Sequence, residues 1–448
     1  MSYFTSFFTS ASTPVRSPAT LKLKDSVSGL SLSELNELTP LIQQIYYTSS
    51  DAEAIGKHVY TPYGAAVFPD PSYNSRLPIY QVFDTTNDKL TLVNTVNLDA
   101  HPGYVQLSTS PIWTALVLTP VGGQDPIQYP PCIKLYPTSP TQNLSTPSKT
   151  ILLGHHDPTR AYLSGAVANG IMAGGWSGDN KYFFYGYTSK DTVTNQTGPY
   201  RIGIINAISG TIAAEVDLPN STITPIEYFT AYHGAKFLKV GNEWYLLFSF
   251  YASSFVPQIP PSSPNRMVLF KFNPAAASLT FVTEVNLPSS AVAYDVTNDL
   301  RYLVVGGSNA TVGSEPSLLQ TPPPPINGSV PDPSHELRVY TFNNSTQKFD
   351  LVSSMEVGQS IATLKFSPNN SFLAMTTVPL SVGGNVPLRS TGILQVFKVK
   401  NDYLVPGDAT AVSPQANNTC WVNNSTLFVG GQPTNLFKNF QLYKVTEN

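Results

Sequence analysis

The chain has 448 residues, 41% of them hydrophobic and only 12% charged, with a formal net charge of −3. That hydrophobic share is enough for a buried core, while the charged share is about half the usual one, so solubility rests on Ser, Thr, Asn, Gln and Tyr. The weak charge excludes an electrostatic footprint for nucleic acid or an anionic membrane. No window approaches about 18 uninterrupted apolar residues, which argues against a membrane span.

The N-terminus, MSYFTSFFTSASTPVRS, carries Phe4, Phe7 and Phe8 but no basic leading region, and Ser and Thr break its apolar run. It makes a poor signal peptide. Residues Thr20–Asp25 then alternate apolar and basic, as an outer edge strand does. A capping-box pair, Ser31 with Glu34, precedes Leu35, Leu38, Leu41, Ile42 and Ile45 at helical spacing. Thr39-Pro40 should split that helix into two short pieces, and its expected role is to cap the fold.

From there the chain repeats itself. Ile79–Leu98 reads IYQVFDTTNDKLTLVNTVNL and Val268–Leu287 reads VLFKFNPAAASLTFVTEVNL. Leu337–Val357 gives LRVYTFNNSTQKFDLVSSMEV, Ile393–Val412 is a looser copy, and Phe440–Asn448 stops partway through another. Each copy is two apolar-alternating runs joined by Asn, Asp, Thr or Lys, a strand–turn–strand signal at repeat spacing.

Two further runs upstream complete four strands per unit, a to d. The expected units are His58–Thr61, Ala65–Phe68, Ile79–Phe83 and Leu90–Leu98; Tyr104–Leu107, Trp113–Thr119, Cys132–Tyr136 and Thr150–Leu153; then Ala161–Ala173, Tyr182–Tyr187, Arg201–Asn206 and Thr211–Leu218. Phe229–Val240, Trp244–Tyr251, Met267–Phe272 and Leu279–Leu287 follow, then Ala291–Val296, Tyr302–Gly306, Leu337–Phe342 and Phe349–Val357. The sixth unit has Ile361–Phe366, Phe372–Thr377, Ile393–Val399 and a poorly formed strand near Tyr403–Val412. The last has only Thr419–Val422, Thr426–Val429 and Phe440–Val445, so Thr20–Asp25 is the expected closing strand.

Cys132 and Cys420 fall on non-neighbouring units, and no disulfide is expected. Asn-x-Ser/Thr sequons stand at Asn143, Asn195, Asn220, Asn309, Asn327, Asn343, Asn344, Asn369, Asn417, Asn423 and Asn424. They are compatible with a surface glycoprotein, although a chain rich in Asn, Ser and Thr also makes sequons by chance.

The phrases LKFSPNNSFLAM (Leu364–Met375) and YDVTNDLRYLVV (Tyr294–Val305), with the c–d phrases above, resemble the strand–turn–strand element of WD-repeat and YVTN-type (lactonase-like) β-propellers. The resemblance covers most of residues 56–448 and implies fold more than activity. Trp-Asp endings and Gly-His openings are missing, so WD-repeat ligand rules do not transfer. In its lactonase members the resemblance implies polar side chains gathered around a central channel.

The b–c loops are long: Asp70–Pro78, Pro120–Pro131, Ser189–Tyr200, Ala252–Arg266, Ser308–Glu336 and Pro379–Gly392. Stacked on one face, they are the expected binding surface. Catalytic patterns are thin. His155-His156-Asp157 is the densest polar cluster, read as turn residues, and His58, His101, His233 and His335 are single. Trp113, Trp176, Trp244 and Trp421 are read as packing residues. No Gly-rich phosphate loop, Ser elbow or Cys/His metal spacing occurs.

The sequence therefore predicts an all-β, seven-bladed β-propeller of four-stranded antiparallel blades. Residues 1–55 form an arm with a short helix and closing strand, and 56–448 the propeller. The expected function is a non-enzymatic scaffold, a virion structural or attachment protein located in the virion or on an extracellular surface. Its partners would be assembly subunits, a host receptor or a glycan, without nucleic acid or a membrane span. No catalytic, cofactor-binding or metal residue and no cofactor is assigned. The alternatives are a cytoplasmic or exported propeller enzyme of lactonase or glycoside-processing type, and a WD-repeat-like interaction hub.

Overall fold

The structure, a computed structural model, describes residues 17–28, 45–46, 52–62, 64–65, 76–99, 103–120, 132–153, 171–190, 197–217, 235–250, 265–287, 291–307, 336–357, 360–378, 391–413, 416, 418–431 and 438–448. They form seven four-stranded antiparallel sheets, each ordered from an inner to an outer strand, plus a two-stranded pairing of Ile45–Tyr46 with Gly64–Ala65. The fold is a seven-bladed propeller.

Blades two, five and seven start and stop within a few residues of the expected runs. Blade one differs. Its inner strand is Glu53–Ile55, and His58–Pro62 is the second strand, followed by Arg76–Asp84 and Thr91–Asp99. A three-residue strand is too short to display a period of two, and Gly56, at φ 59°, turns the chain at once. Ile45 belongs to the short strand Ile45–Tyr46, not to a helix; the rest of the expected helix lies outside the described residues. In blade six the outer strand runs fully from Tyr403 to Val412, because a bulge between Gln395 and Phe397 absorbs the Pro406-Gly407 break.

Every seam between blades is filled by side chains of alternating parity. In the third strand of blade four, Val268, Phe270 and Phe272 pack with Phe184 and Phe248, while Met267 and Leu269 pack toward Tyr294 and Leu303 of blade five. Both faces of a middle strand are buried, which is why VLFKF reads as a nearly continuous apolar run. Outer strands have one solvated side, so Leu351 and Val352 are exposed.

The turns repeat too. Between first and second strands, Ser177, Thr297 and Ser367 each accept at the side-chain oxygen the N–H of the residue five later, at 2.9 Å. The third residue beyond the hydroxyl, Asn180, Leu300 or Asn370, is left-handed at φ 59°, 61° and 58°. Between third and fourth strands, Asn206, Asn273 and Asn343 cap the turn, each side-chain oxygen accepting two N–H groups. The turn then ends on a left-handed residue: Gly210 at φ 73°, Ala277 at 46° and Gln347 at 54°. The sequon residues Asn143, Asn343, Asn369 and Asn423 all accept N–H groups of their turns, which gives these asparagines a structural purpose.

Blade seven takes its outer strand from the beginning of the chain. Ala19–Val27, which contains Thr20–Asp25, pairs antiparallel with Phe440–Glu447. Both neighbouring blades hold it. Leu21 N–H donates to Asp408 of blade six at 3.1 Å, and Ala19 packs against Gly407, where a Cβ would sit 2.7 Å from the Ala19 carbonyl. On the other side Leu90 N–H of blade one donates to Asp25 at 2.8 Å, and Lys24 pairs with Asp88 at 2.9 Å. Cys132 and Cys420 are both buried and form no disulfide.

Removal of residues 1–27 should expose the edge of the third strand of blade seven, lowering the thermal midpoint and producing self-association by size-exclusion chromatography. Ala277→Gly should stabilise by about 0.5–1 kcal/mol by relieving a left-handed alanine, whereas Gly210→Ala should destabilise, since its Cβ would meet Lys149 at 2.6 Å. Denaturant midpoints check both. The Leu90 N–H holds the Asp25 carboxyl below its ordinary value, and the Lys24 ammonium does the same for Asp88. A depressed carboxylate stabilises above its unfolded pKa and loses that contribution as pH falls through its folded value. Thermal midpoints should therefore drop as pH falls from about 5 to about 3, and less so in Asp25→Asn.

Candidate functional site

The inner strands surround the central channel, and their side chains are the first place to look for chemistry. Five charged residues stand on them: Glu53 in blade one, Lys236 and the exposed Lys239 in blade four, Asp295 in blade five and Lys365 in blade six. Asp295 and Lys365 are buried. The Lys236 ammonium lies 2.9 Å from Asp295 Oδ1, joining blades four and five.

The two carboxylates act on backbone of the next blade. Glu53 accepts the Thr109 N–H and, at 3.1 Å, the Ser108 hydroxyl of blade two. Asp295 Oδ2 accepts the Phe366 N–H of blade six at 2.6 Å. Two indoles act on the same peptides from the opposite side. Trp176 of blade three donates Nε1–H to the Ser108 carbonyl at 3.2 Å, and Trp421 of blade seven donates to the Lys365 carbonyl at 2.9 Å. Thus peptide 108–109 and peptide 365–366 are each held at both ends, by a carboxylate from the preceding blade and an indole from the following one.

These groups lie on the free edge of an inner strand, where no further strand satisfies the backbone. A buried, unpaired N–H or C=O there would cost roughly 1–3 kcal/mol. Where blades three and four meet, a Cβ on Gly175 would sit 2.2 Å from the Ala235 carbonyl, so backbone packs on backbone. Blades six and seven add a hydroxyl chain, with Thr363 Oγ1 within 2.7 Å of Thr376 Oγ1 and donating to Thr419 at 3.2 Å, while Thr376 donates to the Ala416 carbonyl at 2.7 Å.

The sequence-singled residues distribute differently. Trp176 and Trp421 are in the clamps, Trp113 packs on the blade-two and blade-three core, and Trp244 sits edge-on to Phe237 under Lys239. His58 lies 3.7 Å from Asp84, which is itself paired with Lys57 at 2.5 Å. His101, His155, His156, Asp157, His233 and His335 lie outside the described residues, as do most of the long b–c loops. Among the described residues, no group of three or more His, Cys, Asp or Glu is placed to hold a metal, and no helix is long and apolar enough to cross a membrane. Sequence reasoning missed Glu53 and Asp295. The signal for Asp295 lay in YDVTND, an acid in an apolar inner strand just before its turn.

No family model matches the chain, and no curated protein matches it. Solved structures do. One from Bacteroides uniformis, described as a putative 6-phosphogluconolactonase, has 14% identity and a TM-score of 0.47, covering 82% of this chain and 86% of that one. A second from Bacteroides fragilis, described the same way, has 10% identity and a TM-score of 0.45, covering 82% and 86%. A protein of Lactobacillus plantarum has 11% identity and a TM-score of 0.44, covering 84% and 87%. At these identities the likeness concerns the fold. The expected non-enzymatic virion structural or attachment scaffold is corrected here: the neighbours first named are described as enzymes, and nothing observed ties the chain to a virus particle. The WD-repeat type within the propellers finds no matching family model either.

Trp421→Phe keeps the stacking on Phe372 but removes the indole donor to the buried Lys365 carbonyl, and should destabilise by about 1 kcal/mol in denaturant unfolding. Asp295→Ala should cost more than Asp295→Asn, because the amide oxygen still accepts the Phe366 N–H.

Proposed function

We propose that the chain is a propeller enzyme of the lactonase type, hydrolysing a cyclic ester of a small polar molecule at its central channel. The observation that carries this reading is the polarity of the inner ring, with Glu53, Lys236, Asp295 and Lys365 on four of the seven inner strands. A scaffold without a ligand could line the same strands with apolar side chains. The turn and strand phrases around Tyr294 and Leu364, which resemble the YVTN-type propellers, support the same reading.

The reaction adds water across the ring ester. Water attacks the carbonyl carbon, the ring C–O bond breaks, and the ring oxygen takes up a proton. It needs a proton acceptor for the water and donors for the developing oxyanion. In this proposal the charged side chains of the inner strands make the wall of the channel polar, with Asp295 and Lys365 buried within it. Glu53 and Asp295 already hold backbone N–H groups, so they shape the wall and are not assigned as the general base.

The test uses the purified full-length chain with a panel of five- and six-membered lactones, phosphorylated and unphosphorylated, together with aryl glycosides as the contrasting class. Loss of at least one lactone about tenfold faster than in buffer is the expected result. A folded chain that accelerates none of them, or that cleaves only the glycosides, overturns the lactonase reading.

A further inference from the structure

The seam between blades seven and one contains two buried oxygens that no protein group satisfies. Thr61 and Gln81 are directly opposite one another on the second and third strands of blade one. Each is only 1% exposed, and neither Thr61 Oγ1 nor Gln81 Oε1 has a hydrogen-bond partner. Their direction follows from the strand period. Val59 and Phe83, two residues away on the same strands, pack with Phe428, Phe440 and Leu442 of blade seven, so Thr61 and Gln81 face that blade as well.

The facing strands of blade seven carry small or polar positions of the same parity. Gly430 follows Phe428 with the same parity and contributes no side chain, and Asn418, fully buried, pairs with it across the strands. A Cβ at Gly430 would lie 3.1–3.3 Å from Phe440, Phe428 and Asn418, so those neighbours close around the position. The Gln81 amide is anchored at its other end, with Nε2 donating to Thr95 at 3.3 Å. Turned over, the amide oxygen would accept a hydrogen bond from the Thr95 hydroxyl and the NH2 would point into the seam. Either orientation leaves one amide atom needing a partner there.

We propose that this seam is a built binding site for one ordered water molecule, bridging Thr61 Oγ1 and Gln81 Oε1 between the closing blade and the first. An amide oxygen beside a hydroxyl, which both donates and accepts, suits a guest that can do both. A water with such partners is the usual way a folded chain satisfies isolated buried oxygens. The site adds a polar bridge to the seam at which the ring closes, beside the aromatic contacts of Phe83.

The experiment is isosteric substitution with a structural readout. Thr61→Val keeps the shape and removes the hydroxyl. If the water is present, the variant loses a bridge and its thermal midpoint falls by about 1–3 °C. If the seam is dry, the same variant removes an unsatisfied oxygen and its midpoint rises, which overturns the proposal. A crystal structure of the intact chain at high resolution supplies the second arm. A density peak within hydrogen-bond distance of Gln81 and Thr61, absent in Thr61→Val with Gln81→Leu, is expected; a dry seam in the unsubstituted chain overturns it.

Discussion

The ring stands or falls on one pairing, the antiparallel ladder between Ala19–Val27 and Phe440–Glu447. A chain of blades has two raw ends, and the last sheet would otherwise present an unpaired edge. Drawing the outer strand from the opposite terminus removes that edge and joins the ends through backbone hydrogen bonds. Thr20 and Thr446 meet side chain to side chain at 2.6 Å, and Lys438 donates to the Ser26 carbonyl at 3.0 Å. The closing strand is also a wedge. Asp408 on one side and Leu90 on the other fix its register relative to blades six and one.

Inside that closed ring the polar side chains of the inner strands are spent largely on neighbours. The peptides at 108–109 and 365–366 receive the same treatment four blades apart, a carboxylate on the N–H and an indole on the C=O. Such a clamp is directional where hydrophobic packing is not, so it sets the rotation of one blade against the next. The apolar seams supply attraction; the clamps and the threonine chain of blades six and seven supply alignment. An acid on an inner strand therefore reads first as a fastener, and a catalytic role must be argued from the channel as a whole.

Much of this was legible from residues alone. The c–d phrases at Ile79, Val268 and Leu337 have buried middle strands and partly solvated outer ones, so their apolar patterning survives in sequence. The hydroxyl-led turns at Thr297 and Ser367 were visible as well, because Asn and Asp cluster in them, although Leu300 takes the left-handed position after Thr297. Glu53–Ile55 was illegible, being too short for any period, and the shift displaced the inner half of blade one. The clamps were invisible for a different reason. Glu53 and Thr109, or Asp295 and Phe366, lie 56 and 71 residues apart, and only the rotation of the blades brings them together. Composition misled most about function: scarce charge and abundant Asn and Ser suggested a virion surface, whereas several of the asparagines serve turn geometry.

The closing strand has a consequence for how the molecule comes into being. Its ladder partners are separated from it by up to 428 residues, from Ala19 to Glu447. During synthesis the strand leaves the ribosome before every blade and its ladder partner after six of them. For all that interval Leu21 and Leu23 belong to a segment with nowhere to dock, while six blades form beside it. Contacts of this sequence separation carry the greatest loop-closure entropy. Closing the ring thus waits on a strand made before any blade, and while the ring is open the edge of blade seven stays exposed to other copies of the chain.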